Sequence, residues 1–485
     1  MNWKGISRNT GFALLVSALF MLLSVFVSML NGNDSACAAL IISFTITFIV
    51  GAFPFIFVRK TEAITLREGY VTIILSWLLS FVFGMLPYAL WGGPFSVVNA
   101  WFESVSGYTA TGATILDNIE ALPDSLLFWR SSTHFIGGLG VVVFLLLIIP
   151  DSSPVKLRLV NMEVGSLSRG AYGTSTNKMV LVFACVYFGI FLLATILYLI
   201  CGMSVFDSVC HAMSVSATGG FSTRNASIGA FGSRGVEAVT MLCMYLSSLH
   251  FGLIFMAVVG RSLKPLNNTV VKFYTAAVLL FSLVLGAGLK SHGFFSSWGE
   301  SLWNGLFEVL CISTTSGFAI ADNALWPPVL TVPLMMVALV CGCAGSTSGG
   351  IKVDRSVLLL KSVGRQINRI LHPTSVNEVR LGGKVLRDDI VLPQILYILL
   401  YAMLLAVSVA LCLFLGVDHR NAFAASITSL GNVGPALGEL GSMGSFNSVP
   451  EAAKFVFSFD MFLGRIEIYP MLALVAMIFD RRHRR

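Results

Sequence analysis

Four short clusters of small, oxygen-bearing residues recur along this sequence, each built around a glycine. They run from Ser106 to Thr114, Ser214 to Ser222, Ile312 to Phe318 and Thr428 to Pro435. Aligned on Gly112, Gly219, Gly317 and Gly434, the copies stand 107, 98 and 117 residues apart. Thr111, Thr218 and Ser316 precede the glycine in three copies, and Val433 in the fourth. Glycine reaches positive φ at little cost, so successive carbonyls can face one way. Threonine and serine add hydroxyl oxygens. The chemistry such residues suit is replacement of a cation's hydration shell by a ring of oxygens. One cluster of this kind can equally be a helix-packing contact, but four at matched positions point to a shared site.

The elements around the clusters repeat as well. Phe95 to Val105, Val205 to Val215, Trp298 to Leu310 and Asp418 to Ile427 are amphipathic and too short to cross a bilayer. They read as re-entrant half-helices. The unit is therefore span, half-helix, extended loop, span, repeated four times. Non-helical backbone at membrane depth is tolerated only where it is buried or lines a watery cavity. Each half-helix would turn the negative end of its dipole toward a common axis, which favours a cation there. Two spans ending at Val58 stand outside the repeat. The expected division is 1–68 for two extra N-terminal transmembrane helices, then 69–178, 179–267, 268–389 and 390–485 for repeats 1 to 4. The fold class is an all-α polytopic membrane protein with pseudo-fourfold symmetry.

Composition fits this layout. The 485 residues are 56% hydrophobic and only 11% charged, and mean hydropathy is +0.84. Soluble domains carry about 25% charged residues. Ten apolar runs near spanning length appear: Phe12–Leu30, Ala38–Val58, Val71–Trp91, Leu126–Ile149, Met179–Ile200, Val236–Val259, Val270–Leu289, Val329–Val340, Ile390–Leu415 and Phe455–Ile478. The first exceeds the length of a signal-peptide core and reads as a retained helix. Threaded from a cytoplasmic N-terminus, the inner segments hold 24 of the 31 Lys and Arg residues, as the positive-inside rule requires. Both termini are then cytoplasmic, and the net charge of +7 needs no nucleic acid to explain it. Acids gather in the outer segments, among them Asp34, Glu103, Asp117, Asp207, Glu308 and Glu439. They form either a cation-attracting mouth or simply solvated loops.

Repeat 3 is interrupted. The run from Val329 meets Cys341-Gly342-Cys343-Ala344-Gly345-Ser346-Thr347-Ser348-Gly349-Gly350-Ile351-Lys352, too glycine-rich for a helix. As a phosphate loop it fails, because Ile351 occupies the lysine position. An unwound segment in mid-membrane is a candidate gate, with a plain helix kink as the alternative. The last run carries Asp460, Arg465 and Glu467. Charges at such depth face a pore or one another.

These clusters, most tellingly Ala217-Thr218-Gly219-Gly220-Phe221-Ser222 and Gly431-Asn432-Val433-Gly434-Pro435, resemble the Trk/Ktr/HKT superfamily of potassium transporters, in its bacterial TrkH type. The resemblance covers essentially the whole chain. It implies potassium uptake across the bacterial inner membrane, with a filter at Thr111, Gly112, Thr218, Gly219, Ser316, Gly317, Val433 and Gly434. It also implies a gate at 342–352 using Gly345, Ser346, Thr347, Gly349 and Gly350, with Arg465 donating to loop carbonyls. A homodimer and a cytosolic nucleotide-binding regulator of TrkA type are implied partners, so a nucleotide acts only through that regulator. Potassium in the pore is the only ion expected, and no covalent cofactor is. A proton- or sodium-coupled symporter is the alternative. The basic inner segment with Lys361, Arg365, Arg369, Arg380, Lys384 and Arg387 could meet a regulator or lipid headgroups. His134, His211 and His250 read as packing residues, and Cys341-Gly342-Cys343 lacks a second pair for a metal site. No arrangement of Ser, His and Asp suggests an enzyme.

Overall fold

A computed structural model describes residues 1–58, 65–140, 176–374, 378–381, 384–436 and 438–479. Among the described residues, six helices are long and apolar enough to cross a membrane: Trp3–Leu30, Cys37–Phe57, Arg67–Trp91, Val180–Ile200, Thr269–Ser291 and Asp388–Phe414. Leu192, Leu280 and Met403 lie on them with more than half their surface exposed, which is how a lipid-facing residue looks once the lipid is left out. The first two helices form a close pair. A Cβ on Gly11 would come within 2.6 Å of Gly51 O, the small-residue contact typical of membrane helices. Tyr108 Oη donates to Ser17 Oγ at 2.8 Å and fastens this pair to repeat 1.

Four half-helices follow the expected plan: Val97–Tyr108, Val205–Ser216, Trp298–Ser313 and His419–Gly431. Each is started by a side-chain cap. Ser96, Ser204 and Ser297 accept from the N–H three residues on, and Asp418 accepts from Arg420 N. That N–H holds the exposed Asp418 carboxyl below the usual carboxylate range.

The second helices of repeats 2 and 4 are broken where continuous apolar runs are expected, and that of repeat 3 is interrupted as expected. In repeat 1, Asp124–Leu139 ends at Gly140 with φ 82°; the rest of the expected run to Ile149 lies outside the described residues. In repeat 2, Arg234–Ser248 and Phe251–Val259 meet at a bend of 105°. In repeat 3, Pro328–Val340 and Val353–Leu371 flank the glycine-rich loop. In repeat 4, Glu451–Ile466 and Ile468–Phe479 are split at Glu467, φ 67°. A two-stranded hairpin, Val379–Leu381 with Lys384–Leu386, follows the repeat 3 helix. Lys361 Nζ donates to Arg380 O at 2.6 Å and Arg365 Nη1 to Asp388 at 2.6 Å. Part of the basic segment is therefore tied to itself.

Candidate functional site

All four half-helices end in the same turn. A residue at or just past the cap adopts left-handed backbone: Ala110 at φ 52°, Thr218 at 55°, Thr315 at 59° and Asn432 at 53°. The next N–H reaches five residues back, from Thr111 to Ser106 O at 2.9 Å, Gly219 to Ser214 O at 2.9 Å, Ser316 to Cys311 O at 2.9 Å and Val433 to Thr428 O at 2.8 Å. This is the Schellman closure of a helix C-terminus. It turns the following carbonyls away from the helix axis. Then comes the positive-φ glycine: Gly112 (86°), Gly220 (84°), Gly317 (70°) and Gly434 (95°).

The second repeat therefore differs by one residue from the sequence alignment. Gly219 stands where Thr111, Ser316 and Val433 stand, and Gly220 is the glycine of the ring. Thr218 occupies the turn position. A Cβ on Gly219 would lie 2.2 Å from His134 Nδ1, so Gly219 is a glycine because the imidazole packs behind it.

The four strands close on one another in order. A Cβ on Gly112 would come within 2.0 Å of Gly219 O, on Gly220 within 2.1 Å of Ser316 O, on Gly317 within 2.8 Å of Val433 O, and on Gly434 within 2.3 Å of Thr111 O. Each glycine thus makes room for the carbonyl of the next repeat, and the fourth returns to the first. The hydroxyls of Thr111 and Ser316 each meet a threonine hydroxyl of their own strand: Thr111 Oγ1 lies 2.7 Å from Thr109 Oγ1, and Ser316 Oγ 2.8 Å from Thr314 Oγ1. The oxygens that meet the ring glycines are backbone carbonyls, a group that can replace a cation's hydration shell.

One face of the ring opens into a vestibule lined by Gly112, Gly220, Gly317, Asp117, Arg130 and Arg224, among others. It is not a simple acidic mouth, because most of the acids brace loops. Glu103, fully buried, pairs with Arg130 Nε at 2.6 Å and accepts from Thr114 Oγ1 at 3.0 Å and Ile115 N at 3.1 Å. Arg130 also donates to Ser222 O at 3.1 Å and lies over the Phe221 ring, clamping loops 1 and 2 together. Asp207 pairs with Arg224 at 3.2 Å, and Glu308 accepts from Asn323 Nδ2 at 2.7 Å. Asp117 is the carboxylate lining the vestibule, and it accepts from Ser445 and from Asn447 Nδ2. His134 (to Ser214 Oγ, 3.0 Å) and His211 (to Ser222 Oγ, 2.8 Å) are packing residues.

On the other face the repeat 3 loop crosses beneath the half-helix ends. Thr347 Oγ1 donates to Ser216 O at 3.2 Å or Ser247 O at 3.1 Å. Gly349 N donates to Thr315 Oγ1 at 3.1 Å. A Cβ on Gly349 would lie 2.3 Å from Gly431 O. The loop therefore touches repeats 2, 3 and 4 at once. The break in repeat 2 serves it, since Cys343 N donates to Ser248 O at 2.9 Å and Phe251 N to Gly345 O at 3.0 Å. Ser346 Oγ donates to Cys343 O at 2.6 Å, and Gly350, at φ 70°, packs against Cys341 Sγ.

Arg465 supplies the fourth side. Its Nη1 donates to Thr347 O at 2.8 Å, and its Nη2 to Gly137 O at 2.7 Å and Gly138 O at 3.1 Å. The neighbouring acids have other partners: Glu467 bonds Arg355 at 2.8 Å, and Asp460 accepts from Ser408. A second cavity, lined by Ser346, Ser348, Gly349, Gly464, Arg465 and Glu467, lies beyond the loop. Vestibule, ring, loop and cavity thus follow one another.

A ring of re-entrant loops inside a lipid-facing helical protein defines a pseudo-fourfold membrane pore. The chain belongs to the TrkH family of cation transport proteins, which it matches over residues 37–482. The Trk system potassium uptake protein TrkH of Salmonella typhimurium is 30% identical over 485 residues, covering 99% of this chain and 100% of its own. The Trk system potassium uptake protein TrkI of Halomonas elongata is 31% identical over 489 residues, covering 99% and 97%. The crystal structure of the potassium transporter TrkH from Vibrio parahaemolyticus superposes with a TM-score of 0.89 at 30% identity, covering 99% of this chain and 100% of that one. The all-α polytopic fold expected from the sequence is the one found.

Proposed function

We propose that this chain conducts potassium inward across the bacterial inner membrane, through a filter made by Thr111-Gly112, Gly219-Gly220, Ser316-Gly317 and Val433-Gly434. The observation that carries the reading is the closed order of the ring, in which every glycine faces the next repeat's carbonyl. The vestibule is then periplasmic, and both termini are cytoplasmic. The loop 342–352 is the gate, held shut by Arg465, whose guanidinium ties the Thr347 carbonyl of the loop to the Gly137 and Gly138 carbonyls of repeat 1 and adds a positive barrier under the filter. The boundaries 1–68, 69–178, 179–267, 268–389 and 390–485 describe the extra helices and the repeats. The working unit is a homodimer controlled by a TrkA-type cytosolic regulator, through which alone a nucleotide acts. Amphipathic Val353–Leu371, with Ile367 and Ile370 exposed, gives such partners a surface.

The test is potassium and sodium flux in proteoliposomes for Gly112, Gly220, Gly317 and Gly434 each changed to Ser. Loss of potassium preference at each position is expected, and indifference at all four would remove the filter. Coupled symport is the second reading. The buried Asp460 carboxyl, accepting from Ser408 Oγ inside repeat 4, is the observation that favours it. A reversal potential that moves with pH at a fixed potassium gradient would establish coupling.

A further inference from the structure

Three of the four seams in the ring lie between repeats joined by the chain. The seam between repeat 4 and repeat 1 is not, because those repeats stand at opposite ends of the sequence. At that seam the structure holds a contact with no counterpart in the others. Asn432 Nδ2 donates to Thr111 Oγ1 at 2.9 Å and to Met461 O at 2.8 Å. Among the described residues this is the one hydrogen bond that runs from one filter strand to another. The equivalent positions in the other repeats, Ala110, Thr218 and Thr315, carry side chains too short for such a bridge.

The socket is built for the amide. Asn432 is 1% exposed and sits at φ 53°, a conformation that asparagine tolerates better than most residues. Its side chain is boxed in by two glycines: a Cβ on Gly464 would come within 2.6 Å of Asn432 Oδ1, and one on Gly349 within 3.1 Å. Oδ1 is itself buried without a hydrogen-bond partner, a cost that calls for a compensating role. That role is on the donor side. One NH₂ group holds the repeat 1 strand against repeat 4 and anchors both to the helix that carries Arg465.

We infer that Asn432 is a positioning residue for ion selection, acting as the clasp of the filter at its only uncovalent seam. This rests on the filter reading above. A clasp fixes the position of the Thr111 strand, and therefore of the Thr111 carbonyl that meets Gly434. Losing it widens that quadrant and admits a partly hydrated sodium.

The test uses the full chain in proteoliposomes, with potassium and sodium fluxes measured side by side. Asn432→Gly keeps the left-handed backbone and deletes the clasp; Thr111→Val removes its acceptor; Thr111→Ser restores a hydroxyl. Asn432→Gly and Thr111→Val should each lower the potassium-to-sodium flux ratio about tenfold, the equivalent of one buried hydrogen bond. The double variant should fall no further, and Thr111→Ser should stay near the wild-type ratio. An unchanged ratio in Thr111→Val, a Thr111→Ser that behaves like it, or additive losses in the double variant would overturn the clasp. Gly317→Ser, away from this seam, separates the two readings. If it shifts the ratio while the clasp variants do not, the filter stands and the clasp falls; if it and the other three ring-glycine variants all leave the ratio unchanged, the filter fails and the clasp with it. Should Asn432→Gly not fold, the two Thr111 variants decide the question alone.

Discussion

The ring and the region just beneath it are built on opposite principles. At the ring, four different sequences give one geometry, with closing hydrogen bonds of 2.8–2.9 Å in every copy and a positive-φ glycine in each. Beneath it, every second helix stops, but each by a different means: Gly140, the bend before Phe251, the glycine-rich loop, and Glu467. On the proposed filter, a cation on the axis would ask the same thing of all four repeats. A single loop crossing that axis asks something different of each. Repeats 2 and 3 give it carbonyl and hydroxyl partners, repeat 4 supplies Arg465, and repeat 1 lends the carbonyls of Gly137 and Gly138.

The comparison can be broken most forcefully at the ring. Gly220→Ala puts a methyl group about where Ser316 O lies, and should abolish potassium preference in paired flux measurements. Gly189→Ala, where nothing lies within 4 Å, should leave flux and preference as they are. Next is the buried brace behind the ring. Arg130→Ala leaves Glu103 buried without its counter-charge and should cost about 3–5 kcal/mol, read as a fall in thermal stability of the detergent-solubilised protein. Below the ring, Thr347→Val removes the hydroxyl that reaches Ser216 O and Ser247 O. It should raise potassium flux about fivefold by loosening the seated loop, without altering ion preference. The smallest effect belongs to Asp117→Asn in the vestibule. Potassium uptake at low ionic strength should fall about twofold, and the difference should vanish in high salt.

Much of this architecture could be read from sequence because the half-helices announce themselves. A short amphipathic stretch opens on Ser or Asp and ends in a glycine cluster, and no soluble fold needs four of those. The slip in repeat 2 arose where two glycines adjoin. The capping residues hold the signal that resolves it: Ser96, Ser204 and Asp418 each precede the ring glycine by 16 residues, and Ser297 by 20, one helical turn more. Counted from Ser204, the glycine is Gly220. The breaks in repeats 2 and 4 had no such signal. Leu249-His250 and Ile466-Glu467 interrupt apolar runs that hydropathy joins, and what opens the first is tertiary, the loop taking the carbonyls of Ser247 and Ser248. Asn432 was hidden for the same reason. Its partners lie 321 and 29 residues away, and no spacing rule connects them.

The central claim is that selection belongs to the ring and closure to the loop with Arg465. The most direct test is a single flux experiment on Arg465→Ala, with potassium and sodium measured on the same vesicles. Removing three charge-assisted hydrogen bonds to the loop and to repeat 1 should raise potassium flux about tenfold or more while leaving the potassium-to-sodium ratio unchanged. Flux that stays at or below the wild-type level, from protein that is normally folded, would contradict the account.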